Sequence, residues 1–107
     1  MTEYEKLYAT IIERRAHPEE GSYTCYLFEQ GLDKILKKLG EECAETIIAA
    51  KNHNRRELVA ELSDLVFHME VLMAQQGVAP EEIEAELGRR AQKTGNRKPL
   101  RIVDKNT

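Results

Sequence analysis

Several classes of protein are excluded by what this chain has little of. Its 107 residues include only two cysteines, three prolines and six glycines. Cys25 and Cys43 form no C-x-x-C pair or other ligand spacing, so they are expected to be buried or reduced thiols of a cytoplasmic protein. No apolar run approaches membrane-spanning length, and the N-terminal MTEYEKLYAT has no signal-peptide pattern, so no membrane partner is expected. Excess basic charge is also missing. A formal net charge of −3 and a pI near 5.7 argue against a nucleic-acid binder, which would show a basic face to the phosphates. Internal repeats, low-complexity stretches and domain boundaries are likewise absent.

What is present suits a helical globule with solvated outer faces: 33% of the residues are charged and 41% apolar. The length fits one domain whose isolated core would be thin, so the fold class expected is all-α, a small four-helix domain sharing a bundle core with a second copy. A homodimer or higher homo-oligomer follows, most simply a twofold dimer.

Leu7, Ile11 and Ile12, extended by Tyr4 and Tyr8, mark a first helix from Glu3 to about Ala16 that His17-Pro18 ends. Tyr23–Phe28 does not resolve by alternation and reads as an ordered loop. A second helix opens at Gly31-Leu32-Asp33, with Asp33 as its cap, and runs to about Lys51. Asn52-His53-Asn54 connects it to a third, Arg55 to Gln76, closed by Gly77. Ala79-Pro80-Glu81-Glu82 starts a fourth, with proline in the first turn and carboxylates at the positive end of the dipole, fading near Gly88 or Thr94. Residues 1–94 thus form the helical domain, and 95–107 a polar C-terminal tail.

The remaining chain is organised around Gly40–Asp64, which carries Glu41, Glu42 and Glu45 and then Glu61 and Asp64. At about 100° per residue, Ile35, Leu39, Cys43 and Ile47 define the expected buried face of the second helix, and Glu42 borders it. On the third, Leu58, Leu62, Leu65, Met69, Leu72 and Met73 form the apolar stripe, with Glu57, Glu61, Asp64 and His68 beside it. Antiparallel packing across the short turn brings Glu42/Glu45 and Glu61/Asp64 to similar depth, within roughly 3 Å. A cluster of carboxylates suits a hard cation, Mg²⁺ with Mn²⁺ as the alternative; di-iron bundles use Glu-x-x-His pairs, which are missing. The same acids also fit solvated i,i+3 and i,i+4 pairs, and both readings stay open. His68 reads as a polar-face or core-edge histidine rather than a ligand, Lys51 and Asn52 as helix-end residues, and Tyr23, Tyr26 and Phe28 as packing.

At IIERRAHPEEGSYTCYLFEQG, GLDKILKKLGEECAETIIAAKN and ELVAELSDLVFHMEVLM the sequence resembles the phosphoribosyl-ATP pyrophosphohydrolases of the all-α nucleoside triphosphate pyrophosphohydrolase superfamily, over about residues 4–94. The superfamily's Glu-x-x-Glu, spacer, Glu-x-x-Asp pattern maps onto Glu42, Glu45, Glu61 and Asp64, with Glu41 adjoining. Ser22-Tyr23-Thr24 and Ala50-Lys51-Asn52 narrow the likeness to the histidine-pathway member. The resemblance implies Mg²⁺-dependent hydrolysis of the α–β phosphoanhydride of phosphoribosyl-ATP to phosphoribosyl-AMP and pyrophosphate. It further implies metal ligation by the five acids, with Glu42 or Glu45 taking the proton of the attacking water. Substrate binding would fall to Ser22, Tyr23, Thr24, Lys38, Lys51 and Asn52. No cyclohydrolase segment is matched, so the following step is expected from another chain. Two alternatives share the acidic helices: a housekeeping nucleoside triphosphate pyrophosphohydrolase and a non-catalytic helical dimerisation module.

Overall fold

Two long antiparallel helices, α3 (Leu32–Lys51) and α4 (Arg55–Gln76), pack along most of their length and form the frame of the molecule. In this computed structural model, which describes residues 1–94, they are flanked by α1 (Glu3–Ala16), α2 (Tyr23–Gln30) and α5 (Pro80–Thr94). No strand occurs among the described residues, so the all-α expectation holds. The expected tail at 95–107 lies outside them.

One element departs from the sequence reading. Tyr23–Gln30 is a helix, not a loop, which raises the count from four to five among the described residues. Two local features start and stop it. Ser22 accepts a hydrogen bond from the Cys25 amide at 3.2 Å, capping the first turn, and Gly31 ends it at φ 91°, ψ −175°. Only glycine enters that backbone region without strain. Because Gly31 also precedes the first residue of α3, α2 and α3 meet at a one-residue joint. The expected Asp33 cap is therefore replaced by Gly31, which makes no side-chain cap bond.

The turn between α3 and α4 is built by its own hydrogen bonds. The His53 amide donates to the Ala50 carbonyl at 3.1 Å, and the Asn54 amide to that of Ala49 at 3.3 Å, the pair of bonds of a Schellman motif. His53 takes the left-handed position, φ 56°. Asn54 then accepts from the Glu57 amide at 3.0 Å, capping α4. This fixes the register of the two helices, and with it the relative depth of their acids.

Ile11, Leu27, Ile35, Val71 and Ala74 form the buried core, with Leu7, Tyr8, Phe28, Phe67 and Leu72 packed against it. The Tyr8 hydroxyl donates to the Val78 carbonyl at 2.9 Å, and Arg15 donates to the Ala74 carbonyl while lying over the Phe28 ring, which ties α1 to the far end of α4. The buried faces of the two long helices are rotated from those expected. α3 buries Ile35, Glu42 and Ala49, and α4 buries His68, Glu70, Val71 and Ala74. Leu36, Cys43, Ile47 and Ile48 of α3 and Val59, Leu62 and Met69 of α4 are exposed, Ile47 to 68%. Of the apolar stripes read from the sequence, Ile35 is buried and Leu39, Leu58, Leu65, Leu72 and Met73 are half-buried, but Cys43, Ile47, Leu62 and Met69 lie outward in the single chain, and a carboxylate and an imidazole lie inward.

Candidate metal and substrate site

The seven-residue spacing of Ile35, Glu42 and Ala49 returns to nearly the same side of α3, so packing of the two apolar residues carries Glu42 inward with them. Glu42 is only 9% exposed. One turn further along α3 stands Glu45, and across the helix pair stands Glu61 of α4; one carboxylate oxygen from each of the three lies within 4.8 Å of the others. Oε2 of Glu42 and Oε2 of Glu61 are buried with no hydrogen-bond donor.

Crowded, desolvated carboxylates resist ionisation. The Glu61 carboxyl is pushed up to about 7, chiefly by its side-chain approach to Glu45 within hydrogen-bonding range, then by desolvation, the like approach of Glu42 and the charges of both neighbours. Glu42 is raised mainly by burial and by the charges of Glu45 and Asp64, with the contact to Glu61 opposing. A proton or a cation relieves this crowding.

The other sequence-derived residues fall into three positions around the triad. Asp64, one turn beyond Glu61, is exposed and outside the close group, yet near enough for its charge to act on Glu42. Glu41 faces away into an ion pair with Lys38 at 3.1 Å, which holds the Glu41 carboxyl below its ordinary range and raises the Lys38 ammonium. Lys38 also feels Tyr23, so α2 stands beside the acids. Of the Ser22-Tyr23-Thr24 segment, Ser22 is occupied as the α2 cap, Tyr23 is 43% exposed, and Thr24 is half-buried. Lys51 and Asn52 are exposed at the C-terminal end of α3, and no hydrogen bond or ion pair links them to the triad among the described residues.

Residues 4–91 match the family described as phosphoribosyl-ATP pyrophosphohydrolase. The chain belongs to that family. Among similar phosphoribosyl-ATP pyrophosphatases, that of Clostridium novyi is 53% identical over 97 residues, covering 91% of this chain and 88% of the relative. That of Pelotomaculum thermopropionicum is 59% identical over 87 residues, 81% of this chain and 89% of the relative. The histidine biosynthesis bifunctional protein HisIE of Oceanobacillus iheyensis is 61% identical over 82 residues, 77% of this chain but 38% of that longer protein.

In this member of the phosphoribosyl-ATP pyrophosphohydrolase family the triad fits a hard divalent cation on its own chemistry. Three oxygen donors converge, two buried carboxylate oxygens lack donors, and no thiol or imidazole intrudes among them. One residue that the sequence reading set aside belongs to the same neighbourhood. His68 is 4% exposed, and its ring is engaged at both nitrogens: Nε2 lies 2.9 Å from the Tyr23 hydroxyl and Nδ1 lies 2.7 Å from the Asp64 carbonyl. Its place in the polar stripe with Glu61 and Asp64 was the signal available in the sequence.

Proposed function

We propose that the protein hydrolyses the α–β phosphoanhydride of phosphoribosyl-ATP, yielding phosphoribosyl-AMP and pyrophosphate, the second step of histidine biosynthesis, with Mg²⁺ as cofactor and Mn²⁺ as an alternative. The observation that carries this reading is the convergence of Glu42, Glu45 and Glu61 with two oxygens left without donors, in a chain of this family. Glu42, Glu45, Glu61 and Asp64 hold the cation, and Glu41 serves the same field through Lys38. Bound Mg²⁺ would offset polyphosphate charge and lower the pKa of water.

The chain's own groups divide the remaining work. Glu42 is nearly enclosed, whereas Glu45 is exposed and so can be reached by a water molecule whose proton it accepts. Lys38, beside both Tyr23 and the acids, contacts a substrate phosphate, and Lys51 and Asn52 meet the polyphosphate further along α3. Ser22, Tyr23 and Thr24 face the phosphoribosyl end. The exposed apolar residues of α3 and α4 support a homodimer that buries Ile47, Val59 and Leu62 between copies. No described helix is long and apolar enough to cross a membrane, in keeping with a cytoplasmic location.

Pyrophosphate release measured with phosphoribosyl-ATP, ATP and dUTP, each with and without Mg²⁺, tests the reading. Metal-dependent turnover of phosphoribosyl-ATP alone is expected. Preference for the free triphosphates would point to a housekeeping pyrophosphohydrolase, and no turnover at all to a dimerisation module.

A further inference from the structure

His68 is a buried polar side chain that the roles given so far do not use. It sits on α4 one turn past Asp64, and its hydrogen bonds select one tautomer of the neutral ring. A backbone carbonyl only accepts, so the 2.7 Å contact with the Asp64 carbonyl puts a proton on Nδ1. In the neutral ring Nε2 is then an acceptor, and the Tyr23 hydroxyl, 2.9 Å away, donates to it. The phenol ring is held from its other sides as well. It lies 6.0 Å from the Phe67 ring at 30° and 6.1 Å from the Tyr26 ring at 22°, with the imidazole edge-on at 5.7 Å. Tyr23 nevertheless stays 43% exposed and lies close enough to Lys38, Glu41 and Glu42 to feel their charges.

The hydroxyl proton of Tyr23 is therefore committed to His68, and its oxygen has only lone pairs left for a bond elsewhere. Such an acceptor suits a hydroxyl donor and opposes a phosphate oxygen, which is itself an acceptor. We propose that His68 is a positioning residue that engages the Tyr23 proton, so that Tyr23 binds a sugar hydroxyl of the substrate and not one of its phosphates. The inference rests on the reading of the substrate given above. It adds the side of the site that the sugar occupies and the donor sense of the bond.

Two conservative variants separate the ring nitrogens. Asn at 68 carries its amide nitrogen near the place of Nδ1 and lacks any atom for Tyr23, whereas Gln reaches the place of Nε2. In steady-state hydrolysis of phosphoribosyl-ATP with Mg²⁺, Tyr23→Phe and His68→Asn are each expected to raise KM roughly tenfold or less, the loss of one neutral hydrogen bond, with kcat within about twofold. His68→Gln recovers most of that loss. The double variant Tyr23→Phe/His68→Asn is no worse than Tyr23→Phe, because the two residues act through one bond. Inorganic pyrophosphate, which has no sugar, keeps its inhibition constant in all of them.

An unchanged KM in His68→Asn, equal losses in Asn and Gln, or multiplying losses in the double variant would each overturn the positioning role. A pyrophosphate inhibition constant that rises with KM would overturn the sugar assignment. Both failures leave wild-type turnover intact, and so differ from failure of the substrate reading, in which the wild type does not turn over phosphoribosyl-ATP and this inference falls with it.

Discussion

Replacing Glu61 by Gln should weaken the protein's response both to pH and to Mg²⁺, and the sign follows from the crowding of the triad. A carboxyl that is raised to about 7 when folded but titrates near its ordinary 4.5 when unfolded binds more protons in the folded state between those values. Its contribution to stability is therefore complete below about pH 4.5 and is lost as pH rises through 7. Glu42, raised in the same direction by burial, adds to the slope. Cation binding must displace the proton that the raised pKa keeps on Glu61. With a folded pKa of about 7, roughly a tenth of Glu61 is ionised at pH 6, so apparent Mg²⁺ affinity should fall about tenfold per pH unit below 7 and level off above about 8.

Thermal unfolding at pH 5, 6, 7 and 8 measures the first effect, and calorimetric titration of Mg²⁺ in the same buffers measures the second. Wild type without metal should melt progressively lower toward pH 8, and Mg²⁺ should restore stability most at the alkaline end. Glu61→Gln should melt with a flatter pH profile, gain little from Mg²⁺ and lose hydrolysis, while keeping its helical circular dichroism. A wild-type profile that is flat between pH 5 and 8, or a Gln variant with undiminished Mg²⁺ affinity, would refute the reasoning.

Other expectations follow from the fold. Gly31→Ala, at φ 91° and ψ −175°, should cost about 1–3 kcal/mol in urea unfolding, since the α2–α3 joint has no alternative backbone. His53→Gly, which relieves a left-handed non-glycine residue at φ 56°, should gain about 0.5–1 kcal/mol in the same assay; a loss would show that the His53 side chain contributes more than its backbone costs. Ile47→Glu alters a side chain 68% exposed in the single chain, so helicity should persist while the proposed homodimer weakens at least roughly tenfold by sedimentation; an unchanged association constant would remove α3 from the proposed interface.

The helices themselves were legible wherever caps and breakers were strong. Glu3–Ala16, Arg55–Gln76 and the start at Pro80 agree with the sequence reading because His17-Pro18, Gly77 and Pro80 punctuate them. α2 escaped because eight residues with five apolar or aromatic side chains give neither a helical nor an alternating pattern; its determinants are a serine cap and a glycine stop, not periodicity. The convergence of Glu42, Glu45 and Glu61 was legible from spacing and a short turn. Which face is buried was legible only in part, with Ile35 in the core as expected. Wheel geometry assigns the most apolar stripe inward, but α3 turns Ile35, Glu42 and Ala49 to the core and leaves Ile47 outside, an arrangement set by contacts with α4 and α2 that spacing along one helix does not encode. The partnership of His68 with Tyr23 spans 45 residues and needed the fold.

The claim on which the rest depends is that Glu42, Glu45 and Glu61 together hold a divalent cation. A crystal grown with Mn²⁺ and measured for anomalous scattering tests it most directly. The account predicts an anomalous peak in contact with carboxylate oxygens of all three residues, at a coordination distance on the order of 2 Å. A peak elsewhere, or triad carboxyls left facing one another with Mn²⁺ at saturating concentration, would contradict it.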